Sequence, residues 1–219
     1  MALQLASDSI SAEHATELLL EYSRRFPGTL RYYDYAGQWP NRPAPDDTFS
    51  LADVGRLVVI NGRPSSADVV ALLRPVDPQL WADVPVEADF RELPQDPTGD
   101  PVYQAVDRLY GALRARKGLG STKVTKALHL KRPHLVPIVD SVVRRHYAEP
   151  AERLAKDSGA TQPQYWRAVW ADARANASAL EAARGDLRSD HETGVLVADL
   201  PLLRLHDILV WMHFLGTTG

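Results

Sequence analysis

The chain has no cysteine. That excludes disulfides, thiol catalysis, zinc–thiolate sites and iron–sulfur clusters. It has no uninterrupted run of about 18 apolar residues, so no helical membrane span is expected. Met1-Ala-Leu-Gln-Leu-Ala-Ser-Asp8 has neither a basic start nor a long apolar stretch, so no signal peptide and a cytoplasmic location are expected. The seven histidines show no His-x-x-x-His spacing, and neither a metal nor a cofactor is expected. Strand signals are scarce, Arg56 to Ile60 being the best, and it competes with helix. There is no internal repeat and no low-complexity tract. A general excess of positive charge is also missing: the net charge is -3 and the pI about 6.2. That argues against a general nucleic-acid binder but leaves room for a local basic patch.

What is present is helical. With 219 residues and 45% apolar content, the chain can bury a sizeable core. The expected architecture is all-α, one domain over residues 1–219, with two lobes allowed and the segment 102–147 kept together. Ser11 reads as the N-cap of a helix running to Arg25, stopped by Phe26-Pro27-Gly28. Ser50 to Asn61 and Ser65 to Leu73 read as short helices around Gly62 and Pro64. Val102 to Ala115 has apolar residues at helical spacing. Gln162 to Ala183 reads as one helix, with Trp166 and Trp170 in the core. Asp199-Leu-Pro201 reads as the cap of a last helix, whose buried stripe is Leu202, Leu205, Ile208, Leu209, Met212 and Leu215. Residues 75–101 hold six prolines and many acids, with Asp83, Glu87, Asp89, Glu92, Asp96 and Asp100 facing only Arg91. This stretch reads either as a negative lid over a basic patch or as a solvated connector.

The most informative stretch runs from Arg114 to Arg145. It carries nine Lys or Arg and one acid, Asp140. A lone carboxylate in a basic field suits chemistry on a polyanion: the field holds phosphates and the carboxylate acts as a base or steadies a developing cation. Gly118-Leu119-Gly120 precedes a helix. Glycines let a backbone approach phosphate closely, and the helix start offers N–H groups, with Ser121 and Thr122 adding hydroxyls. Lys123, Lys126, Lys131, Arg132, Arg144 and Arg145 supply charge. The plainer reading makes the glycines an ordinary corner, the charges a solvated face and Asp140 a helix cap. Tyr32, Tyr33, Tyr35 and Trp39 are candidates for base stacking, or else core anchors.

The Gly-apolar-Gly hairpin, followed at the family's usual spacing by Val139-Asp140-Ser-Val-Val-Arg144-Arg145, resembles the helix-hairpin-helix DNA glycosylase superfamily. The resemblance covers about residues 100–147. It implies a helical glycosylase-type fold, DNA as partner, and Asp140 as the catalytic carboxylate of a monofunctional N-glycosylase acting on a damaged or flipped base. The place of the lysine that backbone-cutting members carry holds Thr122, and the four-cysteine cluster of many members is absent. The alternatives are a non-catalytic nucleic-acid-binding module, and a fold diverted to a small nucleotide, a phosphorylated intermediate or an accessory-subunit role. The whole chain also resembles an uncharacterised bacterial family, through Thr48-Phe-Ser-Leu-Ala-Asp-Val54 and Leu205-His-Asp-Ile-Leu-Val-Trp-Met212. That likeness implies no activity.

Overall fold

A computed structural model of the chain describes residues 2–34, 47–189 and 194–215. The chain divides into two units, one formed by Met1–Trp39 with Val139–Gly219, the other by Pro40–Ile138. The boundary between Ile138 and Val139 cuts the expected 102–147 lobe, so the glycine hairpin and Asp140 belong to different units.

The first unit opens with two short antiparallel strands, β1 (Ala2–Leu5) and β2 (Asp8–Ser11). Helices α1 (Ala12–Arg25) and α2 (Pro27–Tyr32) follow. Ser11 caps α1 as expected, its side chain accepting from His14 N at 3.1 Å. The second unit holds α3 (Leu51–Val59), α4 (Ser66–Leu73), α5 (Pro78–Ala82), α6 (Pro101–Arg114) and α7 (Ser121–Lys131). The chain then returns to the first unit with α8 (Ser141–His146), α9 (Ala148–Ser158), α10 (Tyr165–Ala175), α11 (Ala177–Arg188), α12 (Gly194–Ala198) and α13 (Leu202–Leu215). The described residues are almost entirely helical, in line with the all-α expectation.

Several expectations need correction. Arg56 to Ile60 lies on and just past α3 and forms no strand. The strands lie instead at 2–11, where an alternation only four residues long gives little periodic signal. The single helix expected over 162–183 breaks at Asn176. There the Asn176 side chain accepts from Gln4 N at 2.8 Å and donates to Gln4 O at 2.5 Å, tying the break to β1. The last helix starts at Leu202 rather than after an Asp199 cap, and the first turn closes on Pro201 O. Asp199 faces Arg188 at 3.6 Å. The acidic 83–100 stretch connects α5 to α6 with Glu87, Glu92 and Asp96 exposed, as a solvated connector would, but it is anchored along its length. Its Val84, Phe90 and Leu93 are buried in the second unit, and Phe90 N donates to His134 O. Two of its acids serve local bonds: Asp89 clasps Arg91, and Asp100 caps α6.

Helix α13 forms the spine of the first unit, against α1, α8, α10 and α11. It is buried nearly all round, polar residues included. Arg204 is bonded to Asp34, Asp207 and the Tyr22 hydroxyl. Fully buried His206 faces the Tyr147 hydroxyl through Nε2 at 3.0 Å, and Tyr147 donates to Asp172 at 2.9 Å. Arg204 is tolerated in the core because its bonds are satisfied, whereas His206 has a partner at Nε2 but none at its buried Nδ1, which favours the neutral ring.

Burial pushes His206 down to about 4 from an ordinary value of 6.5. The unfolded chain therefore binds the extra proton between those values. Stability from a neutral His206 is fully present above pH 6.5 and is lost as pH falls towards 4, on the order of 3 kcal/mol in all. His146, lowered by burial and by Arg145, acts in the same direction. Asp172, raised by burial, opposes the loss at the acid end. Urea unfolding at pH 7.5 and pH 4.5 is expected to show a fall that His206→Gln largely removes. An equal fall in both proteins would rule this group out as its source.

Candidate nucleic-acid interface

Helices α3 and α4 begin alike. Ser50 and Asp53 form a capping box, and Ser65 and Asp68 form another. In each, serine and aspartate satisfy each other's neighbouring N–H groups at the helix start. Each aspartate also turns inward and takes a lysine of α7. Lys131 Nζ lies 2.8 Å from Asp53 Oδ2, both side chains under 5% exposed. Lys123 Nζ lies 2.5 Å from Asp68 Oδ2. Between them, Lys126 Nζ donates to Ile60 O at 2.7 Å. Three lysines of one helix thus hold two helix starts and the connector between α3 and α4. That connector turns tightly: a Cβ at Gly62 would sit 2.5 Å from Leu57 O, so only glycine fits.

The electrostatics agree. Burial is the largest influence on Asp53 and on Asp68 and raises both. The bonds from lysine and serine outweigh it, and each carboxyl ends below its ordinary value. These acids stay ionised and hold their lysines down to strongly acidic pH.

Arg132 follows the same rule. It is 1% exposed, donates to Val84 O at 2.7 Å and Asp47 at 2.8 Å, and lies over the Trp81 ring. The phosphate-contact roles expected for Lys126, Lys131 and Arg132 are therefore corrected. Their donors are buried and committed to the second unit's own acids and carbonyls, because unpaired cations cannot be buried cheaply.

The hairpin itself keeps an open edge. Leu119 is 2% exposed and anchors the turn, while Gly118 and Gly120 are exposed on either side. Gly118 has φ of 98°, which favours glycine. Gly120 occupies the N-cap of α7 and, lacking a side chain, makes no side-chain cap bond. Ser121, Thr122 and Lys123 are half-buried, and Lys117 and Arg114 are exposed. Arg114 donates to Leu119 O, bracing the turn from below. Arg116, which sequence reasoning did not single out, donates to Ala71 O, Arg74 O and Pro75 O and so closes the end of α4.

In the first unit, Asp140 caps α8. Its Oδ1 accepts from Val142 N at 2.9 Å and Val143 N at 3.1 Å. It is half-buried, and no bond to Oδ2 is recorded among the described residues. Arg144 lies over the Tyr165 ring at 5.2 Å, and Arg145 is exposed. Of the candidate stacking residues, Tyr33 is fully buried under Arg204, which makes it a core anchor. Tyr32 is 52% exposed. Tyr35 and Trp39 lie outside the described residues.

A protein-family model matches residues 14–214, nearly the whole chain. The chain belongs to DUF6308, a family of unknown function. No curated protein and no solved structure gives a significant match. Among the described residues of this DUF6308 chain, no helix is long and apolar enough to cross a membrane. No group of three or more His, Cys, Asp or Glu among them is placed to hold a metal ion.

Breaking a buried ion pair from one side leaves an uncompensated charge and typically costs about 3–5 kcal/mol. Lys131→Met is expected to destabilise the protein by that order in urea unfolding. Adding Asp53→Asn should recover part of the loss, since Asn still caps α3. Additive losses from the two changes would show that the pair is not coupled.

Proposed function

We propose that this DUF6308 chain binds DNA through the turn between α6 and α7. One observation carries this reading: exposed Gly118 and Gly120 flank buried Leu119, and Gly120 is itself the N-cap of the following helix, where it brings the backbone to the surface with no side chain over it. Backbone N–H groups at such a helix start suit phosphate oxygens. Arg114 and Lys117 bring exposed charge beside the turn. Lys123 brings less, because Asp68 already neutralises it. Binding of this kind is shape- and phosphate-directed, with little base readout. The helix-hairpin-helix identity rests on the motif and on this local geometry.

The finer proposal adds chemistry. Asp140 uses one oxygen as a cap, and its other oxygen is supported as the base that activates water, or balances a sugar cation, in N-glycosidic hydrolysis. Thr122 in place of the hairpin lysine favours hydrolysis without strand cutting. The same donors also suit a small nucleotide, and the burial of Lys126, Lys131 and Arg132 makes that competitor stronger than the sequence alone did.

Salt dependence of duplex binding, read by fluorescence anisotropy, separates these readings. Two phosphates held by Arg114 and Lys117 give a slope of log K against log salt near about -1.8, at roughly -0.9 per phosphate. Lys117→Ala should flatten it by about 0.9. No duplex binding at low salt, with binding of a mononucleotide instead, would replace DNA by the small ligand.

Asp140→Asn separates chemistry from binding. Asn caps helices about as well as Asp, so the fold should hold. DNA affinity should stay equal or rise, and base release should fall by about 10²–10⁴. Wild-type protein that releases no base from deaminated, alkylated or oxidised duplexes would end the catalytic proposal and leave DNA binding standing.

A further inference from the structure

The α6–α7 turn has an acid built into its back. A Cβ on Gly118 would lie 3.4 Å from Asp68 Oδ1. The other oxygen of that carboxylate, Oδ2, holds Lys123 Nζ at 2.5 Å. One carboxylate thus joins the glycine turn to the amine on the first turn of α7. Asp68 is 1% exposed, and its Oδ1 is buried with no hydrogen-bond partner among the described residues. Oδ2 also accepts from Ser65 N at 2.7 Å and Ser65 Oγ at 2.8 Å.

The three lysines of α7 differ in how far they are committed. Lys131 and its Asp53 are both buried. Lys126 is buried on a backbone carbonyl. Lys123 has 27% of its side chain exposed, so it alone of the three stands at the surface beside the turn. A phosphate held at the turn and Asp68 therefore compete for the same amine. Moving Lys123 outwards would leave a buried carboxylate with donors on one oxygen only and no cation. That cost exceeds what one exposed phosphate contact returns. In the native chain Asp68 keeps the amine.

We propose that Asp68 is an autoinhibitory residue of the turn: it withholds Lys123, which becomes a third phosphate ligand once the carboxylate's charge is removed. The inference rests on the DNA reading of the turn and names what limits that grip. It reverses the ordinary expectation for an acid that caps a helix and pairs with a lysine, since loss of its charge strengthens binding. Asp68→Asn suits the test. Asn keeps an oxygen for Ser65 N, and its NH2 takes the place of Oδ1, where it displaces no hydrogen bond.

Duplex binding of the full chain by fluorescence anisotropy, joined to amine labelling of each lysine in free and DNA-bound protein, tests the proposal. In the wild type, DNA should protect Lys117 and leave the slow labelling of Lys123 unchanged. In Asp68→Asn, free Lys123 should label about as fast as Lys117, and DNA should protect both. The slope of log K against log salt should steepen by about 0.9, with affinity roughly tenfold higher at about 50 mM salt. Adding Lys123→Gln should return slope and affinity to wild-type values. A folded Asp68→Asn protein that gains no affinity, or a gain that survives Lys123→Gln, would overturn the proposal. So would protection of Lys123 by DNA in the wild type, a result that needs no variant to fold. Each of these leaves DNA binding at the turn standing. Wild-type protein that binds no duplex, or binds it without protecting Lys117, would overturn the DNA reading of the turn and this proposal with it.

Discussion

The Lys131–Asp53 pair is the constraint on which the second unit depends. It joins the end of α7 to the first turn of α3, in a place that water does not reach. Asp53 is at once a helix cap and a counter-ion. Its carboxylate serves Ser50 N, Ser50 Oγ and Lys131 Nζ within 2.9 Å. A buried pair satisfied this fully is not a large source of net stability, but it fixes which helix end meets which lysine. Asp68 and Lys123 repeat the device one helix later. With Lys126 on Ile60 O between them, register along α7 is set at three points.

Spending those cations inward shapes the unit's outer surface. The charge that looked like a phosphate field over residues 114–145 is partly an internal framework. Among the described residues, what remains outward near the turn is small: two exposed cations, Arg114 and Lys117, and two exposed glycines, one of them the N-cap of α7. A modest, backbone-directed grip on an anion fits that surface better than an extended electrostatic groove. The same inward turn of Asp53 and Asp68 leaves α3 and α4 with apolar outer faces.

Much of this was legible in residues. Ser11, Ser50 and Ser65 marked helix starts through their caps, and Gly62 marked the tight connector. The Leu119 turn could be read from glycine-apolar-glycine before a helix, although that pattern marks a corner and does not by itself say whether the corner binds anything. The fate of the lysines was harder, although a clue was present. Lys123, Lys126 and Lys131 follow helical spacing, while two Ser-x-x-Asp boxes upstream offered acids in search of partners. Composition treats a charge run as solvated, and only tertiary contact shows that Asp53 and Lys131, 78 positions apart, meet. The break at Asn176 depended in the same way on Gln4, 172 positions away. Asp140 stayed ambiguous for a different reason: a capping carboxylate and a catalytic one have the same sequence.

Amine-reactive labelling of the native protein, read residue by residue by mass spectrometry, bears most directly on the inward use of α7. Lys117 and Lys156 should react quickly. Lys123 should be slower, and Lys126 and Lys131 should be protected until the protein unfolds. Lys131 and Lys126 reacting as fast as Lys117 in the folded state would contradict the internal framework and return these cations to a solvent-facing field.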